Sequence, residues 1–157
     1  MEQEQLSILA ADVQKQQKFI EDIYRLIARR KKGYTKDRVV LESLAYQLHN
    51  LYCAFEDLFK IIANYFENHL METAWHKELL DRMTLEIKGI RPRFLSEYAY
   101  ELLNELRRFR HVFRHAYGFE LEADKIKIVL KKTLALKKIY KNDIANFLAQ
   151  LKSKTKR

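Results

Sequence analysis

The chain is predicted to be all-α, an up-and-down bundle of about five helices. Three observations carry that expectation. Apolar residues recur at three- and four-residue spacing over long stretches, which is the helical period. The 157 residues include only three glycines and one proline, so turns are few and helices long. With 48% hydrophobic and 12% aromatic residues, there is enough apolar side chain for one sizeable core, and residues 1–157 are read as a single domain.

The first helix, about residues 4–31, carries Leu6, Leu9, Val13, Ile20, Ile23, Tyr24 and Ile27 at helical spacing. Its basic end, residues 29–32, suits a helix C-terminus, and Gly33 marks the stop. The second helix gives the clearest signal, an unbroken apolar stripe from Leu41 to Phe66. His49 and Cys53 lie beside that stripe and read as helix-flank residues. Residues 67–75 read as a loop. A shorter helix is expected from Trp75 to Lys88, with Leu79, Leu80, Met83 and Ile87 inward, closed by the breaker at residues 89–92.

The fourth helix should start at Ser96, a good N-cap, with Tyr98, Leu102, Leu103, Leu106, Phe109, Val112 and Phe113 on its buried side. Gly118 offers a left-handed stop. The fifth runs from about Glu122 to Leu151 and leaves residues 152–157 as a frayed basic tail. Neighbouring helices are expected to be antiparallel and joined by short turns.

Composition narrows the setting. A lone cysteine, Cys53, allows no intrachain disulfide and fits a reducing compartment. Residues 1–5 are polar and acidic, unlike a signal peptide, and no run of eighteen apolar residues occurs. A cytoplasmic protein with no membrane association is the expectation. The formal charge of +9 is unevenly placed: residues 125–157 hold eleven bases and one acid, and the other 124 residues hold nineteen bases and twenty acids. A basic final helix attracts phosphates, although lysines also serve simply to solvate an outer face. His69 and His76, seven apart, have no third ligand at a zinc-like spacing. Neither a metal nor another cofactor is expected.

Residues 107–117 concentrate the chemistry. They read Arg-Arg-Phe-Arg-His-Val-Phe-Arg-His-Ala-Tyr, with four arginines and two histidines in nine positions. Four-residue spacing puts Arg107, His111 and His115 on one face, with Arg110 and Arg114 as a second ridge. A guanidinium beside an imidazole suits phosphodiester cleavage. Arginine binds the phosphate in a fork and offsets charge that grows in the transition state. Histidine, with an ordinary pKa of about 6.5, can take a proton from a ribose 2′-OH or give one to a leaving oxygen. The plainer account is that cations collect at a helix C-terminus, each stabilised by roughly 0.3–1 kcal/mol.

The run Arg110-His111-Val112-Phe113-Arg114-His115-Ala116-Tyr117 resembles the R-polar-x3-H-x-Y signature of HEPN-domain ribonuclease toxins of the HepT-like branch. The flanks, Ile90-Arg91-Pro92 and residues 102–111, are similar to that branch as well, and the likeness covers roughly residues 38–150. The resemblance implies a homodimeric, metal-independent endoribonuclease with a HEPN-like helical fold. It also implies a type VII-like toxin–antitoxin pair and transfer RNA as a substrate class. The implied partner is a nucleotidyltransferase antitoxin of the MNT type, which silences the toxin by moving AMP from ATP to the motif tyrosine. Carried onto this sequence, Arg110 would hold the phosphate, His115 would act as acid or base, and Tyr117 would accept AMP. His111 stands where Asn or Asp is common and would play a supporting part. Arg107 and Arg114 lie outside the motif and would serve RNA binding.

Arg110 and His115 are five residues apart, roughly 140° around a continuous helix. Two copies meeting across an isologous interface would let one protomer's histidine meet the other's arginine. A break in the helix before His115 is the other solution. A non-catalytic HEPN-like module that binds RNA or nucleotide, and a helical interaction protein, remain the alternatives to a nuclease.

Overall fold

Each long apolar stripe becomes a helix: α1 Gln3–Arg30, α2 Arg38–Phe66, α3 His76–Arg82, α4 Glu97–His115 and α5 Ala123–Thr155. The computed structural model describes residues 1–67, 76–115 and 120–156. Among these residues the chain is an all-α bundle, with one isolated backbone bridge between Ile87 and Arg91. No helix of the described residues is long and apolar enough to cross a membrane.

α2 is the centre because its apolar surface is wide enough to pack on α1, α3, α4 and α5. Leu44, Leu48, Leu51, Tyr52, Phe55 and Phe59 are fully buried along it. Aromatic side chains interlock the layers. Tyr24 of α1 stacks on Tyr140 of α5 at 5.8 Å, and Phe55 of α2 meets Tyr140 edge-on at 5.2 Å. Such pairs add about 0.5–1.5 kcal/mol beyond their buried area. The Tyr24 hydroxyl donates to the Thr133 carbonyl at 2.9 Å, so a polar atom inside the core is satisfied.

The caps follow local chemistry. Gly33 adopts φ 83° within the α1–α2 turn, a left-handed conformation that glycine accepts without a steric cost. Asp37 then caps α2, its carboxylate accepting from the Val39 N–H at 2.9 Å. At α4 the Ser96 hydroxyl accepts from the Ala99 N–H at 3.3 Å. The Ser96 N–H and O–H both donate to Asp143 Oδ2 of α5, at 3.0 and 2.9 Å. One serine thus starts α4 and pins it to α5. Ser96→Ala is expected to lower stability by about 1 kcal/mol, seen in urea unfolding as a lower midpoint with an unchanged slope.

Several expectations are corrected. α3 ends at Arg82 rather than Lys88. Beyond Leu80 the backbone turns through three-residue hydrogen bonds, then folds back at Gly89 (φ 76°) so that Arg91 pairs with Ile87. The reason is Arg91. Its side chain is fully buried and donates to the carbonyls of Arg82, Leu85 and Pro92 and to the Glu67 carboxylate. A straight helix could not bring that guanidinium to those acceptors. The link from α3 to α4 is therefore a structured loop over residues 83–96 rather than a short turn. Residues 152–155 are helical instead of frayed, with Leu151 buried and accepting from the Thr155 hydroxyl at 2.8 Å. Tyr98 and Val112, expected inward, are exposed. The buried ridge of α4 is Ala99, Leu102, Leu103, Leu106 and Arg110, and these two side chains fall off it.

Candidate functional site

The ridge that buries α4 ends in an arginine. Ala99, Leu103, Leu106 and Arg110 recur every three or four residues, so the helix that packs its leucines on α2 also turns Arg110 inward. Arg110 is only 7% exposed. Its Nε donates to the Cys53 sulfur at 3.2 Å, its Nη1 faces His76 Nε2 at 3.4 Å, and its guanidinium lies 5.9 Å from the centre of the Tyr52 ring. That separation is within reach of a cation–π attraction. Among the described residues these partners include no carboxylate. Arg91, the other buried arginine, is neutralised by Glu67 at 3.1 Å. Burying a cation without a counter-charge is costly, and a bound anion would offset that cost.

Behind it stands a row of polar groups. His76 Nδ1 lies 2.5 Å from Glu56 Oε2, and Lys60 Nζ lies 3.7 Å from Glu56 Oε1. Glu56 is buried although it sits on a long helix. Sequence reasoning placed Cys53 on a helix flank, linked His76 only to a doubtful metal pair and passed over Glu56. A usable signal was present in part: Cys53, Glu56 and Lys60 share one ridge of α2 at three- and four-residue spacing. His76 arrives from α3, and only packing brings it there.

Neighbouring side chains tune the surroundings. The Tyr52 hydroxyl is buried without a hydrogen-bond partner among the described residues, and burial first, then the nearby Glu56, raises its pKa well above the usual range. His49 packs against Phe113 of α4 with ring centres 5.5 Å apart. Burial lowers its pKa, Arg110 and Arg114 lower it further, and its hydrogen bond to Asn50 opposes them. His49 is thereby favoured as a neutral ring beside the cluster.

The other residues singled out in the sequence lie elsewhere. α4 is continuous to His115, so a break before that histidine is not the solution used. His111, Arg114 and His115 are exposed at its end, and the two imidazoles are 4.7 Å apart. Arg107 is half-buried and its Nε donates to Asn104 at 3.0 Å. The structure therefore joins His111 with His115, and turns Arg110 away from both within one protomer. Tyr117, Gly118 and His69 lie outside the described residues. A cavity of about 610 Å³ opens between α4 and α5 beside Tyr98, Leu102, Ile128 and Lys131; Arg110 and the histidines are not part of it.

Residues 43–151 match the family described as HepT-like protein. Comparison with curated proteins and with solved structures finds no match. The matched span holds Cys53, Glu56, His76, Arg110, His111 and His115, and covers more than half of the 157 residues. The chain belongs to the HepT-like family of HEPN-domain proteins.

Proposed function

We propose that this HepT-like chain is an endoribonuclease toxin of a HEPN/MNT pair, acting in the cytoplasm with transfer RNA as a substrate class. The observation that carries it is Arg110, a buried guanidinium with no carboxylate partner among the described residues. An RNA phosphate supplies the missing charge and accepts a forked hydrogen bond. The same arginine then stabilises the charge that builds on the phosphoryl oxygens during attack. The ribose 2′-OH is the nucleophile, and histidines carry the protons. Exposed Lys127, Lys131 and Lys138 on one side of α5 extend a basic track for the RNA backbone.

The divergence of Arg110 and His115 on an unbroken helix supports a site built from two protomers. The active species is then a homodimer, and light scattering should report twice the 18.9 kDa chain mass. The function itself is tested by incubating RNA, transfer RNA included, with the protein in EDTA. Cleavage leaving 2′,3′-cyclic phosphate and 5′-hydroxyl ends is expected. Products with 3′-hydroxyl ends would exclude 2′-OH attack. RNA binding without any cut would leave a non-catalytic module.

Control is assigned to Tyr117, two residues beyond His115. In the antitoxin's reaction the phenol oxygen attacks the α-phosphate of ATP, pyrophosphate leaves, and AMP stays on the tyrosine. Its phosphate would compete with RNA for the arginines and repel the incoming backbone. Tyr117→Phe should remain an active nuclease that antitoxin and ATP no longer silence. Mass spectrometry of the parent should place AMP on Tyr117; an adduct mapped to any other residue would refute this control.

A further inference from the structure

We infer that His76 is the general base of the cleavage step, oriented by Glu56 and working beside Arg110 of the same protomer. This rests on the ribonuclease reading above. Cleavage by 2′-OH attack moves two protons, one off the attacking oxygen and one onto the leaving 5′-oxygen. His115, on the exposed side of α4, does not reach Arg110 within its own chain. A histidine that already touches the phosphate clamp is His76, with Nε2 at 3.4 Å from Arg110 Nη1.

The hydrogen bonds determine which nitrogen does the work. A guanidinium N–H only donates and a carboxylate only accepts. Nδ1, 2.5 Å from Glu56 Oε2, is therefore assigned the proton, and Nε2 the lone pair. That lone pair faces Arg110 and is freed for the 2′-OH when a bound phosphate draws that guanidinium N–H to itself. Burial completes the arrangement. The Glu56 side chain is 6% exposed and the His76 side chain 45% exposed. The orienting bond is thus shielded from water, while the ring is open to RNA and can return its proton to solvent. Lys60 stands on the far oxygen of Glu56. Tyr52 and Cys53 complete the surroundings of Arg110.

A phosphate held by Arg110 brings its ribose alongside. In an attack-ready geometry the 2′-oxygen stands about 3–3.5 Å from phosphorus, so a base adjoining the clamp is within reach of its proton. Nε2 takes that proton as the 2′-oxygen bonds to phosphorus. The bond from phosphorus to the 5′-oxygen breaks, and that oxygen receives a proton from the His115 imidazolium of a second protomer. His76 then releases its proton to water, leaving a 2′,3′-cyclic phosphate and a 5′-hydroxyl.

The test compares wild type, His76→Gln, Glu56→Gln and His115→Ala in single-turnover cleavage at saturating RNA. Each is run also on an RNA whose bridging 5′-oxygen at the mapped cut is replaced by sulfur. His76→Gln should cut about 10²–10⁴-fold more slowly with RNA affinity unchanged, and Glu56→Gln should lose less. A thiolate leaves without a proton, so the sulfur substrate should restore His115→Ala and leave His76→Gln slow. Free imidazole should return part of the activity of His76→Ala, which it would not do for a purely structural ring. Wild-type cutting by His76→Gln, or its rescue by sulfur, overturns the base assignment alone. A wild-type protein that cuts no RNA overturns the ribonuclease reading, and this assignment with it. Should the His76 variants fail to fold, nitrogen NMR of the wild-type imidazole decides: protonation on Nδ1 is expected, and protonation on Nε2 sinks the proposal.

Discussion

Arg110→Met should lose about 10²–10³-fold or more in RNA cleavage while folding at least as stably as the parent. The two effects have one cause. Arg110 is 7% exposed, and its described partners are a sulfur, an imidazole and an aromatic face. None of them neutralises the charge, so the folded apo protein carries a desolvation cost that an apolar chain of similar length removes. A site that trades stability for activity is common where chemistry needs an unpaired charge. Guanidinium chloride unfolding and single-turnover cleavage would be measured on the same preparations. An Arg110→Met protein that cuts normally would place the phosphate clamp elsewhere. One that is strongly destabilised would show that Arg110 is a structural cation.

The same residue reports the architecture of the site. An Arg110→Met chain and a His115→Ala chain should each be inactive alone. Remixed through a dissociation step, they form some dimers that hold one intact arginine opposite one intact histidine. Cleavage should return in the mixture. Dimers of confirmed mixed composition that stay inactive would mean that each site is built within one protomer.

Glu67→Ala should lower stability by about 3–5 kcal/mol, the usual range for removing one partner of a buried pair. Glu67 accepts from Arg82 Nε and Nη2 and from Arg91 Nη2, all at 3.1 Å. Arg82 is partly exposed and can turn to water. Arg91 cannot: its side chain is 0% exposed, and its Nε already lacks a hydrogen-bond partner among the described residues. Burial pulls its pKa below the ordinary value, and Glu67 is the group that opposes that pull. Without Glu67 the loop over residues 83–96 would have to open to hydrate the cation. At this chain length each kcal/mol moves Tm by roughly 2–4 °C. A drop in Tm is therefore expected, and it should be smaller in the double variant Glu67→Leu/Arg91→Leu, which removes both charges together. Equal losses in the two proteins would show that packing, rather than the buried charge, accounts for the effect.

Much of the bundle was legible in the chain. Leu41 to Phe66 and Ile126 to Leu151 repeat their apolar residues at a helical period, and that period depends on local geometry alone. Gly33 and Ser96 announce a turn and a cap for equally local reasons. The motif Arg110…His115-x-Tyr117 is likewise a linear pattern, sufficient to suggest a HepT-like protein. The match over residues 43–151 agrees with that.

What the sequence left open was decided by contacts between residues far apart in the chain. Arg91 looked like part of a breaker next to Pro92. Packing made it a buried plug, because Glu67 lies within its reach once α2 and the loop meet. Nothing in the sequence singled out Glu56 on α2. The end of α3 set His76 over it, and α4 turned Arg110 toward the same point. The first and last of these three side chains are 54 positions apart in sequence, and no local period couples them. The continuity of α4 through His115 was also a tertiary outcome, since Phe109 and Phe113 pack against the core along that last stretch. Sequence alone determined the long helices and offered residues 107–117 as the candidate for the chemistry. Only the folded chain decided that Arg110 faces inward, away from His115 and toward a histidine and glutamate that no motif names, because burial and charge pairing act through space rather than along the chain.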